Sequence, residues 1–190
     1  MHEDEKRKIE SELFHARDFF RDYGIHSCIL DGGMELVYAR EGARLPEDVG
    51  QCFLHASGCT TEGDPQNRLS PVRFGVQSPL TTAVLTAMRF SPDVRAGCNI
   101  QYTPEFIDAC NDMLLLVCEP DATKIPAGVS TMDWAVAFCS DQEEGVPDVL
   151  CIKNGISTGS SVKLFGENPL KLTTNLINIS KRIIDTNPRE

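Results

Sequence analysis

Apolar side chains recur along the chain at two different spacings, and each spacing predicts a different kind of element. Near the N-terminus they recur every three to four residues, which predicts a helix from about residue 3 to 23, just before Gly24. Its apolar stripe consists of Ile9, Leu13, Ala16, Phe20 and Tyr23. The opposite side of this helix is charged, so we expect it to lie on the surface of a core.

Two later segments have the same helical spacing. One covers residues 79–90, with Ser78 as a suitable N-cap and Pro79 as a suitable first residue. The other covers about residues 169–185, with an apolar stripe formed by Leu172, Leu176, Ile179 and Ile183. Two shorter helices are predicted over residues 104–113 and 131–139.

Short apolar runs of strand character lie between these helices. They cover residues 25–30, 34–39, 51–56, 69–75, 95–102, 114–118, 149–153 and 162–165. The turn signal Asp31-Gly-Gly33 predicts a hairpin between the first two runs, and residues 60–70 read as a loop. Neither an internal repeat nor a linker divides the chain. The pattern therefore predicts a single α/β domain over residues 1–190, with a mixed sheet covered on both faces.

Composition agrees with an ordinary globular domain and narrows its partners. The 190 residues are 41% hydrophobic and 24% charged, with a formal net charge of -10 and no cluster of basic residues. An acidic chain has little electrostatic attraction for a nucleic-acid backbone, so small molecules or proteins are the expected partners. No apolar run approaches a membrane span, and the charged start MHEDEKRKIE is unlike a signal peptide. We therefore expect a cytoplasmic protein.

The eight cysteines and four histidines are scattered rather than clustered. No Cys-x-x-Cys pair occurs, and the cysteines lie within apolar runs. In a reducing compartment they are expected to be buried thiols that pack as small hydrophobic groups. His26 with Cys28, and Cys52 with His55, are weak candidates for metal ligands. The sequence predicts neither a metal site nor a cofactor.

Two turns carry backbone donors and small polar residues that suit an anion. In the first, Gly75, Val76, Gln77 and Ser78 precede a helix N-terminus, whose N–H groups and positive partial charge attract phosphate. Pro79 removes one donor, and an ordinary strand-to-helix turn is the alternative.

The second turn lies between two predicted strands, from Gly155 to Ser161. Its candidate phosphate ligands are Gly155, Thr158, Gly159 and Ser160. A P-loop is excluded because no lysine follows the second glycine. A plain hairpin loop is the alternative.

One predicted strand offers side chains that suit a heterocyclic ligand. Arg95 and Asn99 stand at alternate positions, so we expect them to share a face of the sheet. An arginine and an asparagine on one face can hold a phosphate or bind an amide-like ring edge. A partly exposed strand with a salt bridge is the alternative.

Five segments together resemble a known family. They are FGVQSP at residues 74–79, VLTAMRFSPDVRAGCNIQYTPEFIDA at 84–109, GVSTMDW at 128–134, VPDVLCIKNG at 146–155 and VKLFGENP at 162–169. In this order they resemble the landmarks of the ThiN-type thiamine-phosphate synthase domain. That family couples hydroxymethylpyrimidine diphosphate to a thiazole phosphate and releases pyrophosphate. The resemblance implies a three-layer α/β/α fold with a mixed, mostly antiparallel sheet, related to class II aldolases.

This chain departs from the family at its reactive positions. The family's reactive histidine corresponds to Pro79, an arginine that follows it corresponds to Thr82, and another arginine falls near residues 57–59, which are Ser-Gly-Cys. Loss of one such charge-stabilising group commonly lowers a rate by on the order of 10²–10³. The resemblance therefore implies binding of thiamine phosphate or a phosphorylated precursor, with weak or no synthase activity.

Two alternatives stay open. In the first, the chain is an active synthase in which His55, Lys153 or Arg73 replaces the missing groups. In the second, it is a structural or partner-binding domain. A homodimer and a monomer are both compatible with the apolar stripes of the first and last helices.

Overall fold

The computed structural model describes residues 2–23, 33–54, 71–121, 124–142, 145–155 and 159–186. Its helices are α1 (Glu3–Asp22), α2 (Pro79–Phe90), α3 (Pro104–Asp112), α4 (Thr131–Gln142) and α5 (Pro169–Thr186). Its strands are β1 (Met34–Ala39), β2 (Val49–Leu54), β3 (Arg73–Phe74), β4 (Ala96–Gln101), β5 (Val117–Cys118), β6 (Val149–Gly155) and β7 (Gly159–Gly166).

The described strands join one sheet in the order β3-β2-β1-β4-β7-β6-β5. Their pairings are antiparallel except that of β5 with β6, which is parallel. Helices α1, α3 and α5 pack on one face of this sheet, and α2 and α4 pack on the other. The predicted three-layer α/β/α fold with a mostly antiparallel sheet is therefore confirmed. We call the two faces the α1–α5 face and the α2–α4 face.

The helices follow the sequence patterns closely. α2 begins and ends where its stripe predicts, and Ser78 accepts the N–H of Thr81 as an N-cap should, at 3.1 Å. Thr103 caps α3 in the same way, because its hydroxyl accepts the N–H of Phe106. Each cap satisfies a helix N–H that the first turn leaves unpaired.

Glycine 97 allows α2 to approach the centre of the sheet. A Cβ at this position would lie 2.7 Å from Cγ2 of Val84 and 3.2 Å from Cδ1 of Leu80. Contacts that short are incompatible with normal packing, so the absence of a side chain here sets the distance between α2 and β4.

Several strand predictions differ from the structure in their bounds. Among the described residues, the run 69–75 is a strand only at Arg73–Phe74, and the run 51–56 begins earlier, at Val49. The run 114–118 is a strand only at Val117–Cys118, because Leu114 ends α3 in the left-handed conformation (φ 58°) and is 92% exposed. Strands β6 and β7 extend to Gly155 and Gly159, which are paired across the hairpin. The predicted glycine-rich loop at 154–161 is therefore mostly strand, because ladder hydrogen bonds continue into it. The predicted strand 25–30, its hairpin and the whole of the loop 60–70 lie outside the described residues.

The cysteine prediction is wrong for one pair. Cys118 of β5 and Cys139 of α4 form a disulfide. They are separated by 21 residues and meet only because α4 packs over the end of the sheet. Cys52, Cys98, Cys110 and Cys151 are buried and unbridged, as expected, while Cys28 and Cys59 lie outside the described residues.

None of the helices in the described ranges is both long enough and apolar enough to cross a membrane.

Candidate functional site

A row of polar side chains crosses the α2–α4 face of the sheet. It consists of Gln51 on β2, Glu35 on β1, Asn99 on β4 and Lys163 on β7, and we call it the polar row. The strand register produces it: Asn99 is paired with Lys163, and the pairing of Leu36 with Cys98 puts Glu35 beside Asn99. Because side chains alternate between the faces of a sheet, all of these groups point toward α2 and α4.

Glu35 is the centre of the polar row. Its side chain is buried, and its carboxylate accepts hydrogen bonds from Gln51 Nε2, from Ser78 Oγ and, at 2.7 Å, from Asn99 Nδ2. Such a carboxylate is stabilised only by donors that replace its water, and here the donors come from three different elements.

Ser78 joins the N-terminus of α2 to the polar row. Its hydroxyl donates to Glu35 and accepts the N–H of Thr81. The Glu35 carboxylate therefore lies at the helix N-terminus, where the backbone N–H groups and the helix dipole favour a negative charge. Glu35 thus already occupies part of the space in which this helix end could bind an anion.

Lys163 brings a positive charge to the β7 end of the polar row. It is 4% exposed, and its Nζ donates to Ser161 Oγ at 3.2 Å. Burial lowers the pKa of the Lys163 amine below its ordinary value, although attraction to Glu35 opposes this shift. An amine in this position can bind an anionic ligand that excludes water around it.

Asn99 retains an unused acceptor. Its Nδ2 is bonded to Glu35, but its Oδ1 is buried and has no hydrogen-bond partner within the described part of the chain. A buried acceptor without a partner costs free energy, and a ligand donor would recover that cost.

Arg73 extends the polar face toward the edge of the sheet. It is paired with Gln51 across β2 and β3, so it lies on the same face as the polar row. Its side chain is exposed, and no carboxylate of the described residues forms an ion pair with it. The chain then passes directly from β3 into Gly75.

The predicted turn from Gly75 to Ser78 lies against this face. Gly75 adopts φ 74°, a left-handed conformation that suits glycine, and its N–H donates to Pro46 O. Val76 is half-buried and Gln77 is exposed. The N–H of Gly75 and the hydroxyl of Ser78 are used within the protein, so the backbone N–H groups of Val76, Gln77 and Ser78 are the candidate donors for a ligand.

The expectation that Arg95 and Asn99 share a face is wrong. Arg95 precedes the first residue of β4, so the alternation of the strand does not constrain it. Its Nη2 donates to the hydroxyl of Tyr38 at 2.6 Å, and Tyr38 packs on the α1–α5 face. Burial raises the pKa of Tyr38 to about 12, against the opposing effect of the Arg95 charge.

The predicted residues of the β6–β7 hairpin are only partly described. Gly155 and Gly159 form its last pair, Ser160 is half-buried within β7, and Thr158 lies outside the described residues. Ser161, the next residue, is the hydrogen-bond partner of Lys163. The hairpin therefore approaches the polar row through Ser161.

A family model for the thiamine-phosphate synthase ThiN matches residues 14–178 of the chain. The chain belongs to the ThiN family. The family resemblance expected from the sequence segments is thereby confirmed, and with it a connection to thiamine biosynthesis.

Two relatives of this ThiN-family chain differ in length. The bifunctional thiamine biosynthesis protein ThiDN of Methanocaldococcus jannaschii is 26% identical over 110 residues, which is 58% of this chain and 26% of that protein. The thiamine-phosphate synthase ThiN of Methanothermobacter thermautotrophicus is 25% identical over 169 residues, 85% of each chain. This chain thus spans about a quarter of the length of ThiDN in that alignment.

Solved structures share the ThiN fold. The crystal structure of the C-terminal domain of protein MJ0236 has a TM-score of 0.79 at 20% identity and covers 95% of this chain and 97% of that one. An L-fuculose 1-phosphate aldolase has a TM-score of 0.50 at 11% identity, with 94% and 85% covered. At such identities the likeness concerns the fold alone.

Two of the three residues that the sequence analysis offered as replacements for the family's reactive groups are described. Lys153 follows Ile152, which packs on the α2–α4 face, so Lys153 points to the opposite face. There it pairs with Glu119 at 2.8 Å, away from the polar row. Arg73 lies on the α2–α4 face, as the polar row does. His55 lies outside the described residues.

Sequence reasoning missed Glu35, Gln51 and Lys163 in this ThiN-family chain. Each is a polar residue inside an otherwise apolar strand, as in Met34-Glu-Leu-Val-Tyr-Ala39 and Val162-Lys-Leu-Phe165. For Glu35 and Lys163, a charged residue in such a run was the available signal, because a buried charge is rarely retained without a partner or a ligand.

We expect Lys163→Met to stabilise this ThiN-family chain at neutral pH, because burial makes the charged amine unfavourable in the folded state and the attraction of Glu35 only partly offsets this. Because the folded pKa of Lys163 is depressed, the unfolded state binds this proton more tightly. The loss of stability caused by the buried charge is therefore largest at pH values below the folded pKa. It disappears as the pH rises toward the ordinary pKa of lysine. Urea unfolding at pH 7 and pH 10 should show the gain shrinking with pH. An unchanged gain, or a loss of stability, would contradict this assignment.

Proposed function

We propose that this chain binds thiamine phosphate, or a phosphorylated precursor of thiamine, at the polar row and has weak or no synthase activity. Membership of the ThiN family supports the ligand class. The observation that carries the proposal is the polar row itself: buried polar groups reduce stability, and a ligand that pairs with them accounts for their presence.

The ring of the ligand is proposed to lie beside Asn99 and Lys163. The unpartnered Oδ1 of Asn99 suits the exocyclic amino group of an aminopyrimidine, which is a donor. Arg95 has no part in this arrangement, because its guanidinium is engaged with Tyr38 on the other face.

The phosphate is proposed to bind at the turn that follows β3. Arg73 offers a guanidinium there, and the backbone N–H groups of Val76, Gln77 and Ser78 are the candidate donors of the turn. Gly155, Thr158, Gly159 and Ser160 are the alternative phosphate ligands, connected to Lys163 through Ser161.

The position of Pro79 supports weak or absent catalysis. It is the first residue of α2, where the family resemblance places a reactive histidine. A proline ring has neither a proton to transfer nor a positive charge to stabilise a departing pyrophosphate.

An active synthase is the alternative that a specific observation favours. Arg73 and Lys163 lie on one face, and both charges can neutralise pyrophosphate as it leaves. A structural or partner-binding domain is the second alternative.

Calorimetry and a thermal shift with thiamine phosphate test the binding proposal. We expect the wild type to bind, Lys163→Met to bind at least tenfold more weakly, and Lys8→Met, which removes an exposed lysine, to bind as the wild type does. No heat and no thermal shift at millimolar ligand would contradict binding.

The proposal of weak or absent synthase activity is tested by a separate measurement. Given hydroxymethylpyrimidine diphosphate and thiazole phosphate, the protein should form thiamine phosphate little faster than the uncatalysed control. A clearly faster rate that Arg73→Gln abolishes would instead establish the synthase alternative.

A further inference from the structure

We propose that a groove along the outer side of α2 is a second binding site, for a small phosphate monoester that also carries hydrogen-bond donors. The groove has a volume of about 690 Å³, which is within the usual range for small-molecule sites. It lies between α2, the turn at residues 42–44 and the first turn of α4. None of the residues of the polar row lines it.

Two arginines provide the positive charge of the groove. Arg44 projects from the turn and Arg89 from the last turn of α2, and both line the cavity. No carboxylate in the described ranges forms an ion pair with either guanidinium. Two guanidinium groups beside one cavity provide paired donors that match the oxygens of a phosphate.

The turn that carries Arg44 is held in place by Asp48. The Asp48 carboxylate accepts the N–H of Arg44 at 3.2 Å and pairs with Arg40 at 2.7 Å. Burial alone would raise the pKa of Asp48, but these hydrogen bonds outweigh it and keep the pKa below its ordinary value. Because the backbone is fixed in this way, less conformational freedom is lost when Arg44 binds a ligand.

Asp133 limits which anions suit the groove. Its carboxylate accepts a hydrogen bond from the hydroxyl of Thr86, and both residues line the cavity. It repels a phosphate, so the phosphate belongs at the arginines, while hydroxyl or amino donors of the same ligand suit Asp133. Leu85, Met88 and Pro92 provide an apolar wall for the rest of the molecule.

The groove and the polar row use different sides of α2. The buried stripe of α2 packs toward the sheet, whereas Thr82, Leu85 and Arg89 line the groove. The second site therefore does not depend on thiamine phosphate binding. Since the chain carries a net charge of -10, general attraction of anions is weak, and binding of a phosphate monoester requires a specific site.

Calorimetry with AMP and with inorganic phosphate tests the proposal on the full chain. We expect AMP to bind the wild type, and the double variant Arg44→Gln/Arg89→Gln to bind it at least tenfold more weakly. The matched control Arg7→Gln/Lys8→Gln removes the same charge from exposed positions of α1 and should bind within twofold of the wild type. Lys163→Met should also leave AMP binding unchanged, which separates this site from the polar row.

Asp133→Asn provides a test of selectivity. It should weaken AMP binding and leave inorganic phosphate as tightly bound as before, or more tightly, because it replaces one acceptor oxygen by an amide donor and removes a repelling charge. The proposal is overturned if neither probe binds the wild type at millimolar concentration. It is equally overturned if the Arg44/Arg89 variant binds AMP as well as the wild type, or if the Arg7/Lys8 control weakens binding to the same extent.

Discussion

Replacing Glu35 by alanine should lower the free energy of unfolding by about 3 kcal/mol or more. The substitution removes the acceptor of three donors, those of Gln51, Ser78 and Asn99, and leaves these buried or half-buried side chains without it. It also removes the negative charge that partly stabilises the buried ammonium of Lys163. Urea unfolding, with the dependence on urea checked for constancy, measures the loss.

Two further variants distinguish the lost hydrogen bonds from a general effect of truncation. Glu35→Gln keeps one carbonyl oxygen but brings an amide donor among donors, so its loss should be intermediate. Glu41→Ala shortens an exposed glutamate and should stay within about 0.5 kcal/mol of the wild type. A loss below about 1 kcal/mol for Glu35→Ala would mean that the polar row is solvated rather than buried.

Reduction of the Cys118–Cys139 disulfide should lower the free energy of unfolding by about 3 kcal/mol, from the entropy of the loop that it closes in the unfolded chain. The bond joins β5, at the edge of the sheet, to α4. Because β5 is a two-residue strand with a single described neighbour, we expect its end of the sheet to open first when the bond is absent.

The double variant Cys118→Ala/Cys139→Ala is the control for this prediction. It should unfold at a lower urea concentration than the oxidised wild type and should not respond to reductant. Burial raises the pKa of Cys52 to about 12 and that of Cys151 to about 11, so these thiols are poor nucleophiles and should not replace the bond. A wild type whose stability is the same with and without reductant would contradict the prediction.

The polar row and the disulfide have opposite effects on stability. The row keeps a carboxylate and an amine in the interior, and the expected gain from Lys163→Met measures part of its cost. Proteins commonly keep such costly groups where they bind or react. A variant that is more stable and no longer binds thiamine phosphate would connect the cost with the proposed function.

The sequence predicted the helices well because their signals are local. The stripe of α2, its cap at Ser78 and its proline at the first position lie within a few residues of one another, and the structure has all three. The strands were less well bounded, as Leu114 and the β6–β7 hairpin show. A strand begins and ends where its neighbour does, and that neighbour is distant in the sequence.

The site was predictable only in part, for the same reason. The turn from Gly75 to Ser78 and the position of Asn99 follow from local patterns, and both lie at the polar row. Arg95 was assigned to the wrong face, since alternation holds only inside the strand that begins at Ala96. Glu35 and Lys163 become neighbours of Asn99 only through the pairing of β1, β4 and β7.

By itself the sequence determined the class of fold, the order of the helices and the family resemblance. These depend on periodicity, caps and residue identity, which are properties of neighbouring positions. Only the tertiary structure decided which polar groups meet in the interior, that Cys118 reaches Cys139, and that Arg44 and Arg89 border one groove. Those facts depend on strand register and helix packing, which bring together residues that are far apart along the chain.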